Sequence, residues 1–337
     1  MQVKASQAVS VITAIIKAKL VPMLVGSPGC GKSQIFHQIA KEYRLKVIDL
    51  RLSQCDPTDL LGFPNIKGNK AGYVPMETFP LEDDPIPEGY VGWMLILDEF
   101  NSASPAVQAA AYKLVLDRMV GQSSLNSKVI TVCAGNLETD NAIVNPMSTA
   151  LQSRLVHVEL RVDVKEWITW ANNNGIHHKI TDYIGFNGKA LFSFQPDHTD
   201  STYACPRTWE FLNRLIGKLP ENSPEELILY SGAVSEGIAR EFITFCKIYD
   251  SLPKMSQIEA SPETVAIPEE PSVLYAITGS IAENMQNSNI GQLMKYIMRM
   301  PVEFQVITLK TAIKRKTQLA QHPAFIKWQD ESAVAYY

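Results

Sequence analysis

Basic residues are not in excess in this sequence. Thirty-one Lys and Arg stand against 35 Asp and Glu, which leaves a net charge of −4 over 337 residues. A strongly basic chain would point to a nucleic-acid partner, and this balance does not, although it leaves room for a local basic channel. Cysteine is scarce and shows no pairing pattern. Cys30, Cys55, Cys133, Cys205 and Cys246 are odd in number, and no two form a Cys-x-x-Cys pair. Neither a disulfide framework nor a zinc site is indicated, and a reducing cytoplasm is the simple reading. The adjacent histidines His177-His178 suit one metal poorly and read as solvated surface. No apolar run approaches the length of a membrane span. Residues 8–16 resemble the apolar part of a signal peptide, but Lys17 and Lys19 follow where small cleavage-site residues would be needed. Ala8, Val11, Ile12, Ile15 and Ile16 instead recur at helical spacing, which predicts a buried first helix ending before Pro22. Internal repeats and low-complexity tracts are also missing.

What is present is a series of five short apolar runs, at 20–25, 45–52, 93–97, 128–134 and 155–162. Buried strands alternating with helices imply a largely parallel sheet covered on both faces, with phosphate sites at the carboxyl ends of the strands. After Val162 the pattern changes. Residues 164–172, 206–219 and 224–249 read as helices, 251–271 as a Pro/Glu-rich linker, and 272–321 as helical again.

Gly26-Ser27-Pro28-Gly29-Cys30-Gly31-Lys32-Ser33 fits G-x-x-x-x-G-K-[ST], the phosphate-binding loop. It follows the apolar Met23-Leu24-Val25 and precedes a helix-like run at 34–43, the context the motif needs. Glycines let backbone N–H groups curl around phosphates, and the following helix adds a favourable field. Lys32 is expected on the β- and γ-phosphates of ATP, and Ser33 on Mg²⁺. The second motif is Trp93-Met94-Leu95-Ile96-Leu97-Asp98-Glu99, an apolar strand ending in two acids. Asp98 would hold Mg²⁺ through water, and Glu99 would polarise the attacking water. Mg²⁺-dependent ATP hydrolysis is the activity these two motifs predict together.

At this point the chain resembles the AAA+ ATPases, specifically the MoxR-like branch, over residues 5–220. Asp98-Glu99-Phe100-Asn101-Ser102-Ala103-Ser104-Pro105 is similar to that branch's extension of the acidic motif, with Phe100 where Ile and Ser102 where Arg are usual. Gln108 and Asp117-Arg118-Met119-Val120 continue the match. The resemblance makes Asn136, in Val132-Cys133-Ala134-Gly135-Asn136, a polar sensor for the γ-phosphate and the water. Leu151-Gln152-Ser153-Arg154-Leu155 resembles a Leu-Asp-Arg-Phe element, which makes Arg154 the arginine finger that reaches a neighbouring subunit's ATP; Arg161 is the competing choice. Cys205-Pro206-Arg207-Thr208 resembles a Ser-Pro-Arg element and places Arg207 on the γ-phosphate of its own subunit.

The resemblance implies an α/β chain: an AAA+ P-loop αβα sandwich with a five-stranded parallel sheet at 1–162, an all-helical lid at 163–250, and a linker with a C-terminal helical extension at 251–337. It also implies a homo-oligomeric ring, a hexamer, that remodels a protein client and works with a partner carrying a von Willebrand factor A domain. A nucleic-acid motor or loader is the competing reading, and a nucleotide-gated assembly scaffold is a third. Two further signals stay open. Asn65-Ile66-Lys67-Gly68-Asn69-Lys70-Ala71-Gly72 reads as a hairpin tip that either faces a central channel or is a solvated loop. Lys310, Lys314, Arg315 and Lys316 form a basic cluster, read as a solvated face or as a binding face for acidic partners. Gly89-Tyr90-Val91-Gly92 reads as a turn leading into the acidic-motif strand.

Overall fold

In a computed structural model, which describes residues 2–140, 144–220 and 223–333 apart from the side chains of Lys67, 249–251 and 329–333, the chain folds as two compact units. The first runs to Asp163 and includes Gln195–His198; the second holds Val164–Phe194 and the chain from Thr199 onward.

The first unit opens with β1 (Gln2–Val3) and α1 (Ala5–Lys17), where Ala8, Ile12 and Ile15 are buried at helical spacing. β2 (Val21–Val25), α2 (Lys32–Glu42) and β3 (Leu45–Arg51) follow, then the short α3 (Pro57–Leu61). A hairpin of β4 (Phe63–Lys67) and β5 (Lys70–Val74) turns at Gly68-Asn69, as the sequence predicted, with the Lys67 side chain outside the described residues. Next come β6 (Gly92–Asp98) and α4 (Pro105–Leu116). Ser104 caps α4 by accepting from the Val107 amide, and Pro105 fits its first turn. A small hairpin of β7 (Met119–Val120) and β8 (Ser123–Ser124) leads to β9 (Val129–Gly135), α5 (Thr149–Gln152) and β10 (Leu155–Leu160).

The main sheet has six strands, not five. Its order is β1-β10-β2-β9-β6-β3 and every pairing is parallel. The extra strand, Gln2–Val3, pairs with Glu159 and Leu160 at one edge; two residues are too few to show as an apolar run. Side chains alternate across the sheet. Met23, Leu95, Leu97 and Cys133 join one core with Phe100, Val107 and Leu114. Leu24, Met94, Ile96, Val132 and Ala134 join the other with Ile12, Ile35 and Phe36. Each fully buried Leu or Ile contributes roughly 1.5–3 kcal/mol through removal from water, so both faces hold the sheet rigid beneath its loops. The lead-in turn before β6 places the Tyr90 amide on the Pro87 carbonyl at 3.1 Å. A Cβ at Gly92 would lie 2.5 Å from the Lys128 carbonyl oxygen, so glycine lets the chain segments meet there.

The second unit is helical: α6 (Val164–Asn173), α7 (His178–Phe186), α8 (Pro206–Leu215), α9 (Glu225–Val234), α10 (Glu236–Ser251), α11 (Met255–Ala260), α12 (Pro271–Asn284), α13 (Ile290–Ile297), α14 (Val302–Arg315) and α15 (Pro323–Ala333). Several expectations are corrected here. The run at 206–219 stops being helical at Leu215, and 224–249 is two helices, separated at Ser235 with φ 75°. The supposed linker at 251–271 contains α11, whose Ile258 is fully buried with Leu274, Ile277 and Leu293. Tyr183, Trp209 and Phe242 meet tilted or edge-on, with ring centroids 5.5–5.7 Å apart. His177 and His178 are stacked at 4.4 Å and half-buried rather than solvated. The basic cluster is likewise no simple solvated face. Arg315 is buried against Asp182 at 2.9 Å and also donates to the Gly279 carbonyl, and Lys316 donates to the carbonyls of Glu283 and Met285. Among the described residues, no helix is long and apolar enough to cross a membrane.

Candidate functional site: a phosphate loop facing an acidic strand end

β2, β9 and β6 lie side by side and parallel, so their carboxyl ends open on one edge of the sheet. The loop leaving β2 is shaped by Gly29 and Gly31, at φ 76° and 97°, values that a side chain would strain. Gly31 begins α2 without a side-chain cap. Lys32 is only 9% exposed. Its Nζ folds back over the loop and donates to the carbonyls of Gly26 at 2.7 Å and Ser27 at 3.1 Å, and to Asn136 Oδ1 at 3.1 Å. A buried ammonium beside a helix N-terminus suits phosphate oxygens, which are stronger acceptors than carbonyls.

Ser33 Oγ donates to Asp98 Oδ2 at 2.7 Å, which joins α2 to the end of β6. A hydroxyl and a carboxylate in contact are the hard oxygen donors that Mg²⁺ takes, so this pair fits that ion. The charge of Asp98 extends to the next strand. Burial raises the Asp49 carboxyl above its ordinary value and Asp98 adds to it, while His37, with Nε2 at 3.7 Å, and Arg51 pull it back. Glu99 follows Asp98 in the left-handed conformation, φ 53° and ψ 36°. Its amide donates to Asp98 Oδ1 at 2.8 Å, and its carboxylate accepts from the Ser53 hydroxyl. Asn136 stands just past β9, between the loop and Asp98 in strand order, with its amide oxygen on Lys32.

The predicted residues Gly26 to Ser33, Asp98, Glu99 and Asn136 therefore share one edge of the sheet. Arg154 lies just past α5 and is exposed; its Nη1 donates to the Ala150 carbonyl at 2.7 Å and its guanidinium covers the Tyr112 ring at 5.3 Å. Arg161 follows β10, also exposed, with its amide on the Val3 carbonyl at 2.9 Å. Arg207 belongs to the second unit, exposed in the first turn of α8 after Pro206, where Thr208 Oγ1 accepts from the Cys205 amide at 2.8 Å. Sequence reasoning missed two residues. Ser53 could have been found from strand pairing, since the register Arg51 with Asp98 carries the chain after β3 alongside Glu99. Asn101 stood inside the acidic motif, but nothing in its spacing showed that its side chain turns inward to Asn136.

A glycine-rich loop between strand and helix, an acidic pair two strands away, and a polar residue on the strand between them define a P-loop nucleotide-binding domain of the AAA+ type. Residues 22–155 match the family model described as "AAA domain (dynein-related subfamily)". Among solved structures, RuvB of Thermotoga maritima is similar. A point mutant is 17% identical with a TM-score of 0.40, over 82% of this chain and 79% of that one. The form described as "Holliday junction branch migration motor" is 15% identical with a TM-score of 0.37, over 82% and 80%. Likeness this distant assigns neither substrate nor partner. No curated protein matches the chain in sequence.

Proposed function

We propose that the chain is a ring-forming, MoxR-like AAA+ ATPase that hydrolyses ATP with Mg²⁺ to remodel a polypeptide partner. The observation that carries the ATPase reading is the double closure of the phosphate edge: Lys32 on Asn136, and Ser33 on Asp98. Gly26, Ser27, Pro28, Gly29, Cys30 and Gly31 cradle the phosphates, and Lys32 takes the β- and γ-oxygens. Ser33 and Asp98 hold Mg²⁺, whose charge offsets that of the phosphates. Glu99 orients a water and takes its proton as the water oxygen bonds to the γ-phosphorus. The bond from that phosphorus to the bridging oxygen breaks, and ADP and phosphate leave. Asn136 keeps the γ-phosphate and the water aligned. Arg154 of a neighbouring subunit, with Arg161 as the alternative, stabilises the developing charge, and Arg207 of the same subunit assists. In this reading 163–250 is a lid, 251–337 an extension, and the ring a hexamer.

A polypeptide partner is favoured over nucleic acid by two surfaces. The β4–β5 hairpin exposes Phe63, Ile66, Tyr73 and Val74, with Ile66 78% exposed, and apolar side chains suit protein better than a phosphate backbone. Arg315 and Lys316, which would have served nucleic acid, are bonded within the second unit. The test is ATPase rate with an unfolded polypeptide, with a protein carrying a von Willebrand factor A domain, and with DNA or RNA at physiological salt. Stimulation by either protein supports the reading; stimulation by nucleic acid alone replaces it with a motor.

A further inference from the structure

Asn101 lies three residues past Asp98, in a 3₁₀ turn that Phe100 pins into the core without exposure. A polar side chain at such a point must find partners or carry a desolvation cost. Asn101 is 3% exposed, and its amide meets the backbone of Asn136 twice. Nδ2 donates to the Asn136 carbonyl at 2.7 Å, and the Asn136 amide donates to Oδ1 at 3.0 Å. The pattern mimics one rung of a strand ladder, made by a side chain. It needs space that only glycine provides, because a Cβ at Gly135 would lie 2.5 Å from Asn101 Oδ1.

The far end of the following segment is tied to the same turn. The Asn145 amide donates to the Asn101 carbonyl at 2.7 Å, and Asn145 Nδ2 to the Ala103 carbonyl at 2.9 Å. Gln108 Nε2 then donates to the Asn145 carbonyl at 3.3 Å. The short stretch after Glu99 thus grips both ends of the segment from Asn136 to Asn145. With its backbone held, Asn136 has only its two side-chain torsions left to present the amide to Lys32 and to a γ-phosphate.

We propose that Asn101 is the positioning residue for Asn136: it fixes the backbone from which the sensing amide projects, and so couples the acidic strand end to the sensor. This rests on the reading of Asn136 as the γ-phosphate sensor. Asn101 itself touches no reacting atom, so its loss acts through Asn136.

The experiment compares Asn101→Ala, Asn136→Ala, the double variant and Asn101→Asp in the full chain. It measures ATP turnover, affinity for a slowly hydrolysed ATP analogue, and thermal unfolding. Asn101→Ala should lose about 10- to 100-fold in turnover, the range for groups that orient a direct ligand, at unchanged nucleotide affinity. The double variant should be no slower than Asn136→Ala, because one residue acts through the other. Asn101→Asp should be slow near neutral pH, where a carboxylate oxygen faces the Asn136 carbonyl. Relative to the parent at each pH it should recover as pH falls, since a protonated acid again offers one donor and one acceptor. Wild-type turnover in Asn101→Ala, or losses that multiply in the double variant, would overturn the proposal. Should Asn101→Ala fail to fold, the pH profile of Asn101→Asp decides alone: recovery supports the coupling and a flat ratio overturns it. Wild-type turnover in Asn136→Ala would strike down the sensor reading itself, which is a separate result and takes this proposal with it.

Discussion

Arg315 and Asp182 form an ion pair at 2.9 Å in which both side chains are less than a tenth exposed. The guanidinium also reaches Thr181 Oγ1 at 3.2 Å and the Gly279 carbonyl at 3.0 Å, so one side chain on α14 joins α7 and α12. Removing the arginine would take from a buried carboxylate the guanidinium it is bonded to. Arg315→Ala is expected to cost about 3–5 kcal/mol of stability, measured by denaturant unfolding, and Arg315→Lys to recover only part because it lacks the planar fork. A loss no larger than that of an exposed lysine variant such as Lys310→Ala would show the pair to be inconsequential.

The neighbouring histidines predict an acid sensitivity. Burial lowers the His178 pKa to about 3, and His177 and Arg315 add to the shift. In the unfolded chain the value is near 6.5. Between these limits the unfolded state holds the extra proton, so stability is fully present above about pH 6.5 and falls progressively as pH drops toward 3. Melting temperatures taken from pH 8 to 4 should decline less steeply in His178→Gln than in the parent. Parallel curves would remove His178 as a cause.

Lys32→Ala should abolish tight ATP binding, because the loop loses the ammonium that meets the phosphates. Glu99→Gln keeps that ammonium and the Ser33–Asp98 pair, and should bind ATP while turning it over far more slowly. Titration with nucleotide and steady-state turnover of both variants separate the two roles. Equal hydrolysis by Glu99→Gln and the parent would take water activation away from Glu99.

Arg154→Ala alone should lose ~10³-fold in turnover, the range of arginine fingers elsewhere. Mixed with Glu99→Gln it should regain activity, because an Arg154→Ala subunit retains Glu99 and can receive an intact Arg154 from its neighbour. ATPase rate against mixing ratio, after subunit exchange, reads this directly. A flat line at the sum of the two backgrounds would reject a finger acting between subunits and turn attention to Arg161.

The strands of the main sheet were legible because β2, β6 and β9 are buried on both faces and read as continuous apolar runs. Gln2–Val3 was not, since a two-residue edge strand has no periodicity. The phosphate loop and the acidic pair could be read because their chemistry demands fixed residue types at fixed spacing. Ser53 and Asn101 could not, because each acts by meeting a group far along the chain, Glu99 and Asn136, at a place set by strand pairing. Arg315 was misread for the same reason: its charge suggested water, but its partner Asp182 is 133 residues away and buried with it.

The left-handed backbone of Glu99 sets catalysis against stability. An ordinary side chain held there costs about 1–2 kcal/mol, which glycine escapes. Glu99→Gly would thus relieve strain by the same change that deletes the carboxylate proposed to activate water. A population of such genes released from selection for hydrolysis would have a downhill route to a sturdier, inert fold. Under the proposed role, glutamate at this position is held by what it does and not by how well it fits.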